Sequence, residues 1–142
     1  MPEVFELHER LTQDSQLLGY FPLCQLRLIL DANYPWFILV PQRNKTEEIF
    51  QLSEQDQQQL MRESSQLSSV LSSLFGADKM NVATIGNIVP QLHIHHIVRY
   101  KSDGAWPAPV WGKLPAKVYT DDVLQVVLNK MTQCNLTDFS YL

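Results

Sequence analysis

The residues of this chain best suited to chemistry are three histidines, His93, His95 and His96, which fall within four consecutive positions. Apolar residues alternate with them over residues 91–100, which predicts a β-strand. Side chains on a strand point alternately to opposite faces. One face then carries Gln91, His93, His95, Ile97 and Arg99, and the other carries Leu92, Ile94, His96, Val98 and Tyr100. We expect solvent or a ligand to reach the first face, and we expect His96 to be a hydrogen-bonded histidine on the core face.

Two neighbouring imidazoles on an open sheet face are compatible with three roles. They could bind a metal ion, act as a nucleophile with its acid–base partner, or be structural. A zinc site needs a third protein ligand. Asp31 and Asp103 are conceivable donors, but no spacing pattern supports either. Residue types and spacing alone leave the three roles open.

Composition limits the classes of partner. The 142 residues include 11 Lys and Arg against 15 Asp and Glu, a formal charge of −4 without a basic block, which argues against a nucleic-acid polymer as partner. No apolar stretch is long enough to cross a membrane, and the acidic stretch of residues 1–6 predicts no signal peptide. Cys24 and Cys134 form no CxxC pattern, so we expect reduced thiols and a cytoplasmic location.

The elements that must position the histidines are helices and strand hairpins, which alternate along the chain. We predict that they form a single domain over residues 1–142. Apolar spacing predicts a helix over about residues 3–18, an antiparallel hairpin of strands 23–30 and 36–40, and strands over 79–84 and 91–100. A long helix begins after a capping box at Ser53–Asp56 and ends at Gly76, and another spans about residues 120–134. The fold class is therefore α+β, a mainly antiparallel sheet with the long helix packed on one face.

The polar face of the long helix and the Trp- and Pro-rich segment near residue 110 are both expected to have structural roles. The Gln- and Ser-rich face of the long helix is expected to be a solvated surface without function. The segment of residues 105–112, which contains Trp106 and Trp111, is expected to pack against the sheet, with a pocket wall or a dimer contact as the alternative.

With Pro90-Gln91-Leu92-His93-Ile94-His95 in view, the chain resembles the histidine-triad (HIT) superfamily of nucleotide hydrolases and transferases. The family signature is His-φ-His-φ-His-φ-φ, where φ is apolar, and its three histidine places are occupied here by Gln91, His93 and His95. The resemblance extends over about residues 23–112. Within it, residues 105–112 resemble the tail of a bacterial branch similar to diadenosine tetraphosphate hydrolases.

The resemblance implies a catalytic mechanism. His93 would attack the α-phosphorus of a nucleoside polyphosphate or phosphoramidate and form a nucleotidyl-histidine intermediate, which water then hydrolyses. His95 would donate a hydrogen bond to a phosphate or bridging oxygen. Gln91 replaces the first histidine of the signature, and an amide there can only form hydrogen bonds. Trp36 stands where many relatives have a histidine, just before the apolar run of the second strand.

The resemblance also assigns binding roles. Asp31 and Asn33 would face the ribose hydroxyls, while Asn81, Asn87 and Arg99 would serve the phosphate side of the substrate. It implies no cofactor and no metal in the protein, and a homodimer. The alternatives to the enzyme are a nucleotide-binding module with little or no turnover, and a His-x-His metal site.

Overall fold

An antiparallel sheet of six strands forms the centre of the part of the chain that the structure describes. The computed structural model describes residues 3–142; Met1 and Pro2, part of the acidic stretch noted above, lie outside the described residues. The strands are β1 (Ser15–Tyr20), β2 (Cys24–Ile29), β3 (Trp36–Pro41), β4 (Lys79–Ala83), β5 (Ile94–Arg99) and β6 (Ser140–Tyr141). Their order is β4-β5-β3-β2-β1-β6, with antiparallel neighbours throughout. The predicted α+β class and the β2–β3 hairpin are confirmed.

Three α-helices flank the sheet in residues 3–142: α1 (Glu9–Asp14), α2 (Glu54–Phe75) and α3 (Asp121–Gln133). The long helix α2 begins as predicted, because the Ser53 hydroxyl accepts a hydrogen bond from the Asp56 amide, and it ends at Gly76 in the left-handed conformation. The Asp56 carboxylate binds Arg43, so the predicted reciprocal half of the capping box is absent. The predicted helix over residues 120–134 corresponds to α3. None of these helices is long and apolar enough to cross a membrane.

The N-terminal prediction is wrong in part. Residues 15–20 form β1, which pairs with β2, so the helix is limited to six residues. Leu17 and Leu18 are adjacent, so their spacing favours neither a helix nor a strand. Pairing with β2 makes this segment a strand. Gly19 then allows β6 to approach β1, because a Cβ on Gly19 would overlap the carbonyl oxygen of Ser140.

The main core lies between α2, α3 and one face of the sheet. Leu67 and Leu71 of α2 are fully buried against strand residues that include Leu28, Phe37 and Val98. Burial of each of these leucine side chains stabilises the fold by about 1.5–3 kcal/mol.

Two polar residues of α2, Glu63 and Ser64, are buried among its core-facing leucines, while the glutamines of the helix stay exposed or half-buried. The Glu63 carboxylate is buried and accepts hydrogen bonds from the amides of Leu23 and Cys24, at 2.9 and 3.0 Å. Ser64 is buried and contacts His96, with Oγ 2.7 Å from Nε2. His96 is fully buried, and its Nδ1 donates to the Ile94 carbonyl. The prediction that His96 is a hydrogen-bonded core histidine is confirmed.

The other face of the sheet is covered by loops and by α1. Leu11 and Val89 pack on Ile38 and Val40, and a second cluster joins Tyr34, Ile97, Ala105 and Val110. The predicted strand over residues 91–100 begins only at Ile94, which pairs with Leu39. Before it, the Leu92 amide bonds to the Thr46 carbonyl outside the sheet. This loop-covered face carries His93 and His95.

Candidate active site

His93 and His95 lie side by side on the loop-covered face. Their ring centroids are 4.8 Å apart, with the rings at 72°. The side-chain alternation predicted from the sequence is confirmed, because Ile97 belongs to the same face and His96 to the core face. Each of the two histidines is only 6% exposed, so the face is less open than the sequence predicts. Access to the histidines is through a cavity.

His93 is held in one tautomer by the backbone. Its Nδ1 lies 2.7 Å from the carbonyl oxygen of Gln91, which can only accept, so Nδ1 carries the proton. The other ring nitrogen, Nε2, is then the unprotonated one. Burial lowers the pKa of His93, which keeps the ring neutral at neutral pH. A neutral imidazole with a free Nε2 is a competent nucleophile.

His95 has the complementary arrangement. Its Nδ1 accepts a hydrogen bond of 2.9 Å from the indole N–H of Trp36. A neutral His95 therefore carries its proton on Nε2 and can donate from that atom. Burial, with a smaller effect of His93, lowers the pKa of His95 to about 3. The pair thus offers one nitrogen that can attack and one N–H that can donate.

A cavity of about 530 Å³ opens onto the two histidines. Four partly exposed apolar side chains form much of its wall: Leu30, Ile85, Ile88 and Trp111. Its charged lining residues are Arg10, Asp14 and Asp31, and Arg10 is paired with Asp14 at 3.7 Å. A largely apolar cavity with a few polar groups is the usual form of a small-ligand site.

Two of the predicted binding residues, Asp31 and Asn87, line this cavity. Asn33 is outside the lining; its side chain donates to the Asp31 carboxylate and to the Pro115 carbonyl, at 2.8 and 2.9 Å. The backbone amide of Lys117 also donates to Asp31. Asn33 and Lys117 therefore fix the orientation of the Asp31 carboxylate.

Arg99 and Asn81, to which the resemblance gives binding roles, lie outside the cavity lining. Arg99 is 1% exposed and donates to both carboxylate oxygens of Asp103, at 2.8 and 3.0 Å, and to the Asn81 side-chain oxygen at 2.7 Å. The bonds from Arg99 hold the pKa of Asp103 down at about 2. Asp103 also accepts from the backbone amides of Tyr100, Ala105 and Trp106. Asp103 therefore ties the buried Arg99 to the backbone of the loop that leads to Trp111, and this cluster anchors that loop.

The Gln91 side chain, at the first histidine place of the signature, is hydrogen-bonded to the N-terminal segment. Its Oε1 accepts from the His8 amide at 2.8 Å, and its Nε2 donates to the Glu6 carbonyl at 2.9 Å. Gln91 acts on the site through its backbone carbonyl, which holds His93. Arg10, Leu11 and Asp14 of α1 also line the cavity, and no sequence signal identifies them, because only tertiary packing brings that helix to the histidines.

The sequence left a pocket wall as one role for Trp111, and the structure places it there. Its ring centroid lies 5.0 Å from that of His95 and 5.8 Å from that of Trp36. Within residues 3–142, no group of three or more His, Cys, Asp or Glu side chains is arranged to hold a metal ion. Asp31 and Asp103, the conceivable third ligands, are engaged with the partners given above.

Comparison with known proteins identifies the family. The HIT domain model matches residues 10–102. The chain belongs to the HIT domain family. This HIT domain is similar in structure to a histidine triad protein from Marinobacter aquaeolei VT8, with 51% identity, a TM-score of 0.88 and coverage of 91% of this chain and 94% of that one. A histidine triad protein from Bradyrhizobium japonicum matches with 41% identity, a TM-score of 0.90 and coverage of 92% and 98%.

A more distant structure extends the likeness of the fold alone. A hypothetical histidine triad nucleotide-binding protein from Sulfolobus tokodaii strain7 has 17% identity, a TM-score of 0.59 and 80% coverage of each chain. No curated protein matches the sequence. Family membership and fold are thus established by the HIT domain match and by the closer structures.

Proposed function

We propose that this HIT domain is a nucleotide hydrolase or transferase that acts at the α-phosphate of a nucleoside polyphosphate or phosphoramidate. Dinucleoside polyphosphates, the substrates implied by the resemblance to diadenosine tetraphosphate hydrolases, are the first compounds to test. One observation carries the proposal. The Gln91 carbonyl fixes the proton of His93 on Nδ1, which leaves Nε2 free beside the Nε2–H of His95 at the wall of a ligand-sized cavity.

The proposed reaction has two displacements at phosphorus. The His93 Nε2 lone pair attacks the α-phosphorus, the bond to the leaving group breaks, and the leaving atom departs with the electron pair. A water molecule then attacks the same phosphorus, the P–N bond breaks, the pair returns to Nε2, and the water proton passes to solvent. His95 Nε2–H donates to a non-bridging oxygen throughout, where negative charge develops in both transition states.

The cavity supports this substrate class. Asp31 is held by Asn33 and the Lys117 amide with its carboxylate at the lining, which suits it to accept from ribose hydroxyls. Asn87 lines the same cavity and can donate to a phosphate oxygen. Apolar side chains at Leu30 and Ile88 offer a surface for a nucleobase.

A nucleotide-binding module with little turnover is the second candidate. It is favoured by the engagement of both Gln91 amide atoms with the N-terminal segment, which leaves the first signature position without a group that can transfer a proton. The proposal also includes a homodimer, which is supported by the family resemblance. A cytoplasmic location is proposed from the two free thiols, Cys24 and Cys134.

Trapping of the intermediate tests the enzyme proposal directly. The chain would be mixed briefly with diadenosine tetraphosphate labelled at its α-phosphorus, quenched in base, and assayed for acid-labile label on protein. We expect label on the wild type and none on His93→Ala. His8→Asn is the matched control, because it removes a histidine outside the cavity lining and keeps a side chain that caps α1. Binding by the wild type without label or product would favour the binding module.

A further inference from the structure

The position of Trp36 diagonally across from His95 follows from the strand register. Ile38 of β3 pairs with His95 of β5, and Trp36 pairs with Ile97. Residues two apart on a strand share a face, so the Trp36 indole lies diagonally across from the His95 ring. The ring centroids are 5.6 Å apart, and the indole N–H is 2.9 Å from His95 Nδ1. Trp111 packs against both rings, at 5.8 and 5.0 Å.

This hydrogen bond restricts the protonation of His95. An indole N–H is a donor only, so Nδ1 must remain an acceptor while the bond exists. Formation of the imidazolium would place two N–H groups head to head in a buried site, where an unpaired donor costs about 1–3 kcal/mol. Burial acts in the same direction, because it disfavours the charged ring. His95 therefore presents a neutral Nε2–H, which can donate a hydrogen bond but is a very weak acid.

Among the residues that the structure describes, the titratable groups near His95 are engaged with other partners. The titratable neighbours of His95 are His93 on the same face and His96 on the core face, and both have their Nδ1 on a backbone carbonyl. The charged groups of the lining are Arg10, Asp14 and Asp31. Arg10 and Asp14 pair with each other, and the Asp31 carboxylate accepts from Asn33 and the Lys117 amide. The Gln91 amide is bound to the N-terminal segment.

We propose that Trp36 is a positioning residue that holds His95 as a neutral Nε2–H donor, so that the site stabilises phosphoryl oxygens without protonating the leaving group. This inference rests on the proposed function and narrows its substrate class. In the first displacement, the P–O bond breaks and the leaving oxygen takes the electron pair as a stable anion. Anhydrides and esters of acidic hydroxyls meet this condition. Phosphoramidates of basic amines do not, because an amine must gain a proton to leave.

The state of His95 can be read from the resting protein. Two-bond ¹⁵N–¹H correlation spectra resolve the two neutral tautomers and the imidazolium. We expect His95 of the wild type to show Nε2–H between pH 5 and pH 8. Replacement of Trp36 by benzothienylalanine exchanges the indole N–H for sulfur with little change of shape, and it should convert His95 to a mixture of tautomers. Trp111→Phe is the matched control, because that ring also contacts His95, and the Nε2–H tautomer should persist.

The dependence of the cleavage rate on the leaving group tests whether the site lacks an acid for that group. The substrates are nucleoside 5′-monophosphate esters of p-nitrophenol and of phenol, with the anilide as a phosphoramidate. Because general acid catalysis contributes about 10²–10⁴-fold, the wild type should prefer the p-nitrophenyl ester over the phenyl ester by about 100-fold or more. Trp36→Phe should lower the rates for both esters by a similar factor, because part of His95 then carries its proton on Nδ1 and cannot donate from Nε2, and the preference for the p-nitrophenyl ester should persist.

Each outcome decides between the claims. An Nδ1–H tautomer of His95 in the wild type, or an Nε2–H tautomer unchanged by benzothienylalanine, overturns the role of Trp36. Equal rates for the two esters, or cleavage of the anilide as fast as the p-nitrophenyl ester, overturn the limit on leaving groups. If no ester is cleaved and no label is trapped on His93, the proposed function fails. The spectra of the resting protein then decide the role of Trp36 independently, since they require no turnover.

Discussion

At the scale of single residues, the two site histidines differ in what their Nδ1 atoms contact. A backbone carbonyl accepts from His93, whereas an indole donates to His95. Opposite partners give opposite tautomers, so two identical side chains present a lone pair and an N–H to the same cavity. The third histidine of the cluster, His96, is bonded to Ser64 and Ile94 in the core, where it contributes to stability.

The buried histidines predict a dependence of stability on pH. Burial lowers the pKa of His95 to about 3 and that of His96 to about 4, from 6.5 in an unfolded chain. Below about pH 6.5 the unfolded state therefore takes up protons that the folded state excludes. The free energy of unfolding should decrease as the pH falls from 7 to 5, by up to roughly 1 kcal/mol per pH unit for each of these histidines.

Urea unfolding at pH 7, 6 and 5 measures this dependence. His96→Gln, which keeps a side chain able to hydrogen-bond Ser64, should flatten the pH slope by the share of one histidine. A slope equal to that of the wild type would show that His96 is not excluded from protonation in the folded state. The comparison of slopes separates this effect from a uniform loss of stability in the variant.

At the scale of elements, two buried charged side chains, Glu63 and Arg99, connect helices and strands to the irregular segments next to them. Glu63 of α2 accepts from the amide of Leu23, just before β2, and from that of Cys24, its first residue, which joins the helix to the hairpin. Arg99 at the end of β5 binds Asp103, which accepts in turn from the backbone of the following loop. That loop continues to Trp111 at the cavity wall. Arg99 therefore positions the cavity wall from outside the cavity.

Loss of the Arg99–Asp103 pair should affect both stability and the site. Arg99→Met leaves the Asp103 carboxylate buried and unpaired, so we expect a loss of about 3–5 kcal/mol in the free energy of unfolding. Arg43→Met is the matched control, because the Arg43–Asp56 pair is partly exposed, and it should cost less than about 1 kcal/mol. Chemical denaturation measures both. Equal losses in the two variants would contradict the anchoring role of Arg99.

At the scale of the whole molecule, the two faces of the sheet have different tasks. One face is covered by α2 and α3 and carries the main apolar core. The other is covered by the N-terminal segment, α1 and two loops, which enclose the cavity with the histidines. Gln91 links the distant parts of this second face, since its amide binds Glu6 and His8 and its carbonyl binds His93.

The link through Gln91 can be tested by hydrogen exchange. In Gln91→Ala the His8 amide loses its acceptor, so its exchange should accelerate by at least about tenfold, while amides in the centre of the sheet keep their protection. Gln125→Ala removes an exposed glutamine of α3 and should leave the His8 amide unchanged. Unaltered exchange at His8 in Gln91→Ala would show that the N-terminal segment is held by its apolar packing alone.

The sequence predicted the fold class, the β2–β3 hairpin, α2 with its cap at Ser53, and the separation of His93 and His95 from His96. These features depend on local periodicity and end signals, which the order of residues contains directly. The sequence did not predict the strand at residues 15–20 or the hydrogen-bond partners of the site residues. Residues 15–20 form a strand through pairing with β2, and Arg99 donates to Asn81 and to Asp103 outside the cavity lining.

The sequence by itself thus determined which face of β5 carries the histidines, because side-chain alternation is a property of the strand. Only the tertiary structure decided what those histidines can do. The protonated nitrogen of each ring depends on a partner that folding brings to it: the Gln91 carbonyl for His93, and the Trp36 indole, 59 positions away, for His95. Hydrogen bonds between distant residues set these states, and their distances and directions exist only once the sheet has its register.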